Sequence, residues 1–107
     1  MDRLTIRQTS PEGAAFLALE LTDELEVVNV GKLSDVVVDA FERGERHLQL
    51  DFTHITRCDS GSLCTILGIR HAASHFGGSL AIIAVSPAFR ETLQQTGLRT
   101  LLPVTPR

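Results

Sequence analysis

Six consecutive residues, Leu80-Ala81-Ile82-Ile83-Ala84-Val85, carry no polar side chain. Gly77-Gly78 precedes them and Ser86-Pro87 follows. An apolar run this short, with breakers on both sides, reads as a strand. A strand with one solvated face would alternate polar and apolar positions. This one is apolar on both faces, the pattern of a central strand in a covered sheet. Helices packed on one sheet are the simplest cover, and 107 residues are one domain's worth of chain.

The flanking segments fit that frame. Leu4-Thr5-Ile6-Arg7-Gln8 alternates as a half-buried strand does. Ser10-Pro11-Glu12-Gly13 is a turn, with Pro and Gly at favoured positions. Ala14 to Leu21 completes a predicted hairpin, with Ala15, Leu17, Leu19 and Leu21 on one face and Phe16, Ala18 and Glu20 on the other. Thr22-Asp23-Glu24-Leu25-Glu26 reads as a loop. Val30, Leu33, Val37, Ala40 and Phe41 then recur at helical spacing, with Asn29 as N-cap and Gly44 as stop.

His47 to Phe52 alternates as a strand. The next helix has Leu63, Ile66, Leu67 and Phe76 as its buried positions and ends at Gly77-Gly78. Ser86 as N-cap and Pro87 at the first helical position open a third helix, which Gly97 ends. Thr100 to Val104 reads as a short last strand, confined to an edge or a strand end by Pro103. The predicted order is ββαβαβαβ. Strands joined through single helices give parallel, right-handed crossovers. The fold class is α/β, a mixed sheet of four or five strands with helices packed on it.

Composition narrows the function. Hydrophobic residues make up 43% and charged residues 21%, which excludes a disordered chain. The formal net charge is -3, Lys32 is the single lysine, and the arginines are scattered. That balance argues against a nucleic-acid partner. Trp and Tyr are absent and there are five Phe, too few for an aromatic-lined pocket. A binding module is favoured over an enzyme, and no cofactor is implied.

Met1-Asp2-Arg3-Leu4-Thr5 has no apolar core of a secretory signal. Leu63 to Ile69 and Leu80 to Val85, the longest apolar stretches, are too short to cross a bilayer. A cytoplasmic protein with no membrane insertion is expected. Cys58 and Cys64 then read as free thiols, and their spacing matches no zinc pattern.

The most unusual segment is Thr56-Arg57-Cys58-Asp59-Ser60-Gly61-Ser62-Leu63, where a strand hands over to a helix. In open α/β sheets that end of the strands is where function usually lies. Asp59 or Ser60 can cap the helix, with Ser60 the preferred cap.

Leu50-Asp51-Phe52-Thr53-His54-Ile55-Thr56-Arg57-Cys58-Asp59-Ser60-Gly61-Ser62-Leu63 resembles the signature of STAS domains, the bacterial anti-sigma-factor antagonist family. Leu21-Thr22-Asp23-Glu24-Leu25-Glu26 resembles that family's earlier loop. Gly77-Gly78, Val85-Ser86-Pro87 and Thr96-Gly97-Leu98 resemble its later landmarks. The match covers nearly the whole chain, in order, and implies one STAS domain over residues 1–107.

The resemblance implies a partner switch. The unphosphorylated antagonist binds an anti-sigma factor that is often a serine kinase, and so frees a sigma factor. Phosphorylation at the start of the central helix ends the interaction, and a phosphatase resets it. Asp59, Ser60, Gly61 and Ser62 are the implied partner-binding residues, with Glu24 and Glu26 from the adjoining loop. The chain stops at Pro106-Arg107, where many family members continue into a final helix, so that helix is expected to be absent or truncated.

One departure matters. The family's phosphorylated second serine falls on Gly61, which has no hydroxyl. With Leu63, Ile66 and Leu67 as the buried face and about 100° per residue, Gly61 points outward and Ser60 and Ser62 flank it. If Ser60 caps the helix, Ser62 is the preferred phosphoacceptor and Ser60 the second candidate. The rival is constitutive binding without phosphorylation. A related alternative is a non-phosphorylated STAS subunit of a larger complex, such as a lipid-transport ATPase or a stress-signalling scaffold.

Other groupings carry less. Cys64, His71 and His75 fall near one helical stripe but lack a fourth ligand, so no metal is assigned. A Cys58–Cys64 disulfide would need closer Cα atoms than a strand end and the second turn of a helix allow. A Ser-His-Asp hydrolase lacks the nucleophile elbow. Asp51 has an ordinary role available, bonding backbone amides in a turn at Thr53-His54.

Overall fold

The computed structural model describes residues 3–105. Its elements are β1 (Leu4–Gln8), β2 (Leu17–Leu25), α1 (Gly31–Glu42), β3 (His47–Cys58), α2 (Ser60–His75), β4 (Ser79–Val85) and α3 (Pro87–Thr96). One sheet has the spatial order β1-β2-β3-β4. β1 and β2 run antiparallel, while β2, β3 and β4 are parallel. This is the α/β fold expected, with four strands and three helices.

A single apolar cluster joins all seven elements. Leu4, Leu19, Leu21, Leu48, Leu50, Phe52, Ile55 and Ile82 come from the strands. Leu33, Val37 and Phe41 of α1, Leu63 and Ile66 of α2, and Phe89 and Leu93 of α3 meet them. Phe52 and Phe89 stack with ring centroids 4.4 Å apart. Ala18 and Ile83 are buried outside this cluster, while their polar neighbours Glu20, Gln49 and Asp51 keep partial solvent contact.

Several expectations need correcting. β4 is an edge strand, not a central one. Its free edge receives one parallel bridge, Ile82 to Val104, and Thr105 N–H donates to Ile82 O. The predicted last strand over 100–104 is reduced to that bridge. Residues 22–25 belong to β2 rather than a loop, because β1 on one side and β3 on the other satisfy their backbone groups (Asp23 faces Leu4, and Leu25 faces Cys58).

β3 likewise continues through Thr53 and His54. A register shift against β4 falls between Leu50 and Asp51. There Asp51 Oδ1 accepts from the Thr53 amide at 2.8 Å, so the carboxylate supports an irregularity in the strand rather than a turn. Phe76, expected to be buried, is 63% exposed and lies against Phe41 at the rim. Asn29 does not cap α1: the N-cap is Val30, without a side-chain bond.

Candidate functional site: the β2–α1 loop against the start of α2

β2 and β3 are parallel, and Leu25 and Cys58 lie side by side at their carboxyl ends. The segments that follow must therefore leave the sheet together. After Leu25 comes the loop of residues 26–30, and after Cys58 comes Asp59 and α2. Asp59 N–H donates to Leu25 O at 3.2 Å, which fixes the two exits to each other.

Asp59 is the N-cap of α2, in extended backbone. Its carboxylate makes two bonds in different directions. Oδ1 accepts from Ser62 N–H at 2.8 Å, satisfying an orphan donor of the first helical turn. Oδ2 accepts from Val27 N–H at 3.0 Å. One side chain thus ties the loop to the helix end.

The loop has its own staple. Asn29 is buried, accepts from Glu26 N–H at 2.9 Å and donates to Glu24 O at 2.9 Å. These bonds replace the capping role expected of it. They turn the backbone so that Val27 is 57% and Val28 86% exposed. Two adjacent solvated valines beside a buried Asn form an apolar tip. That tip was absent from the sequence reading. Its signal is the adjacent apolar pair Val27-Val28 between the polar residues Glu26 and Asn29.

The three candidate residues after Asp59 have separate fates. Ser60, the first residue of α2, is exposed. It is not the cap, so the ground for preferring Ser62 is gone. Ser62 is completely buried, and its hydroxyl donates to Asp59 O at 2.7 Å. The helix buries Ile69 and Ala73 with Leu63 and Ile66. Using these instead of Leu67 turns the buried face by roughly 60° and takes Ser62 into it. Gly61 does not point into open solvent: a Cβ built there would lie 2.9 Å from Val27 Cβ and 3.1 Å from Val27 Cγ2.

The expected acidic contacts are divided as well. Glu24 is paired with Arg3 at 3.3 Å and Arg57 at 3.6 Å, and its side chain is 15% exposed. Glu26 is half-buried in the loop beside Asn29. Cys58 lies beneath the junction, with Sγ 3.5 Å from Ser62 Oγ. Burial pushes its thiol pKa up and the Asp59 charge adds to the rise, against hydrogen bonds with Ser62 and Thr92 that lower it. Cys64 is exposed, and both cysteines are free. Among the described residues no three His, Cys, Asp or Glu gather as a metal site, and no helix is long and apolar enough to cross a membrane.

A family model described as Mlab, STAS domain, matches residues 9–103. The chain belongs to the STAS family. Solved structures of low identity share its fold. An anti-sigma factor antagonist from Mycobacterium paratuberculosis is 18% identical with a TM-score of 0.77, covering 98% of this chain and 87% of that one. The unphosphorylated form of the anti-sigma factor antagonist SpoIIAA is 17% identical with a TM-score of 0.72, covering 94% and 88%. The phosphorylated form of SpoIIAA, a Bacillus cell fate determinant, is 18% identical with a TM-score of 0.67, covering 94% and 91%. In this STAS domain residues 50–63, within the matched span, run along β3 into the Asp59 junction and the first turn of α2.

Proposed function

We propose that this STAS domain is a non-catalytic anti-sigma-factor antagonist of the cytoplasm. It docks on an anti-sigma factor of the serine-kinase type and so frees a sigma factor. The surface is the junction of the 26–30 loop with the start of α2. The observation that carries this reading is the exposure of Ser60 beside the Val27–Val28 tip, with both held on one frame by Asp59.

Ser60 is the phosphoacceptor in this reading. A phosphate there adds about -1.5 to -2 charge. At the first position of a helix the dipole favours that charge, so the fold tolerates it. A partner covering the valine tip would have to desolvate it beside the Asp59 carboxylate, so docking is opposed. A phosphatase would restore the docking state.

The test is incubation with the cognate anti-sigma kinase and ATP, read by intact-mass spectrometry and by pull-down. One added phosphate, lost in Ser60→Ala and kept in Ser62→Ala, is the expected result. Binding without modification would sink the switch and leave the docking role. No binding would sink the antagonist reading itself.

Gly61 favours a second reading. Val27 fills the space that a side chain at this position would need. A STAS subunit working without a phosphoserine, in a larger complex such as a lipid-transport ATPase or a stress-signalling scaffold, would tolerate that. Co-purification with an ATP-binding-cassette ATPase in place of an anti-sigma kinase would decide for it.

A further inference from the structure

The charge of the chain is unevenly placed. Twelve of its thirteen acidic residues precede Ser60, and none lies between Ser60 and Arg90. α2 and β4 therefore contain no carboxylate at all. At the far end of α2 from the junction, a half-open pocket of about 240 Å³ lies between these two elements. Arg70, His71 and Ser74 of α2 line it with Ser79 and Leu80 of β4. Apart from Leu80, every lining side chain can donate a hydrogen bond.

Arg70 is half-buried, and no carboxylate lies within 4 Å of it among the described residues. One of its nitrogens donates to Leu101 O at 2.7 Å. That bond leaves the rest of a planar donor fork unused. The end of α2 carries the unfavourable end of the helix dipole for an anion, but three of its last carbonyls already accept backbone hydrogen bonds. Phe76 N–H donates to Ala72 O and Ala73 O, Gly77 N–H to Ser74 O, and Gly78 N–H to Ala73 O. Ser79 Oγ is 2.8 Å from His47 Nδ1.

The geometry points to a small-oxyanion site in this pocket, one that takes the tetrahedral phosphate of a phosphomonoester. Arg70 supplies the charge and the fork, and Ser74, Ser79 and His71 complete the donor set. An anion accepting from the Ser79 hydroxyl selects the tautomer in which His47 Nδ1–H donates to Ser79 Oγ. The site is separate from the proposed docking surface and stands or falls independently of it.

The test is an NMR titration of the whole chain with inorganic phosphate at constant ionic strength, with chloride as control. Amide signals of Arg70, His71, Ser74 and Ser79 should shift and saturate, His47 Nδ1 should report the protonated tautomer, and the Ser60 signal should stay in place. Arg70→Gln should weaken binding about tenfold or more. Ser74→Asp, which puts a carboxylate at an exposed position one turn from Arg70, should abolish it. Glycerol phosphate and phosphatidylcholine vesicles containing phosphatidic acid separate a free ester from a lipid headgroup, and either one bound at these residues supports the site. Shifts no larger than those with chloride, or saturable shifts confined to the Ser60 end, overturn it.

Discussion

Gly61 and Val27 are packed so closely that the helix position has no room for a side chain while the valine stands. A Cβ at Gly61 would stand 2.9 Å from Val27 Cβ, although 34 positions separate the two in the chain. The obstructing atom adjoins the backbone, so no rotamer change moves it away. Val27 N–H is also held by Asp59 Oδ2, so the loop cannot simply swing out.

Gly61→Ala should therefore destabilise the domain. Alanine gains about 1 kcal/mol of helix propensity, but overpacking costs roughly 1–3 kcal/mol. A net loss of about 1 kcal/mol is expected. In a Val27→Gly background, which removes the obstructing Cβ, the same change should be neutral or stabilising. A urea-denaturation double-mutant cycle reads the coupling. Additive effects would show that the two residues do not press on each other.

The two oxygens of Asp59 can be separated by substitution. Asp59→Ala loses both bonds and should cost about 1–2 kcal/mol, the range of a lost N-cap. Asp59→Asn keeps one acceptor oxygen for Ser62 N–H and turns an NH2 group toward Val27 N–H, which cannot accept from it. Hydrogen exchange should then accelerate at the Val27 amide far more than at the Ser62 amide. Equal acceleration at both would mean that the carboxylate does not tie the loop to the helix.

Some of this architecture was legible in the residues. The alternation of Leu4 to Gln8, the spacing from Leu33 to Phe41, and Ser86-Pro87 are local signals, and local forces decide those elements. The Leu21–Glu26 and Leu50–Leu63 motifs led to the family. What stayed hidden depends on residues far apart in the chain. The polar segment 22–25 becomes a strand because two neighbours pair with it. The irregularities at Glu20/Thr22 and Leu50/Asp51 interrupt the period of two on which strand reading rests. Ser62 is buried because Ile69 and Ala73, two and three turns on, set the face. Gly61 is covered by a loop that no helical wheel contains.

The serines on either side of Gly61 should respond oppositely to charge. Ser60→Asp places a carboxylate on an exposed position at the helix start, where the dipole is favourable by about 0.3–1 kcal/mol. Its melting temperature should hold or rise slightly. Ser62→Ala should cost about 1 kcal/mol, the worth of an ordinary hydrogen bond. Ser62→Asp forces an unpaired charge into a filled site and should largely unfold the domain. Thermal melts of the three variants check this. A well-folded Ser62→Asp would contradict the burial of that hydroxyl.

The Cys58 thiol gives the domain an alkaline dependence whose sign is set. Burial raises its pKa above the ordinary 9.0. The folded state therefore holds its proton where the unfolded chain begins to lose it. Its contribution is fully present below the unfolded pKa and is lost as pH rises through the folded one. Few other groups titrate in that window, because the chain has no Tyr, one Lys and two Cys. Stability measured by urea denaturation should fall from pH 8 toward pH 10, and Cys58→Ala should flatten the slope. The same burial should keep Cys58 slow toward an alkylating reagent that modifies the exposed Cys64 readily. A slope unchanged in Cys58→Ala, with both thiols alkylated at one rate, would place the Cys58 thiol in solvent rather than beneath the junction.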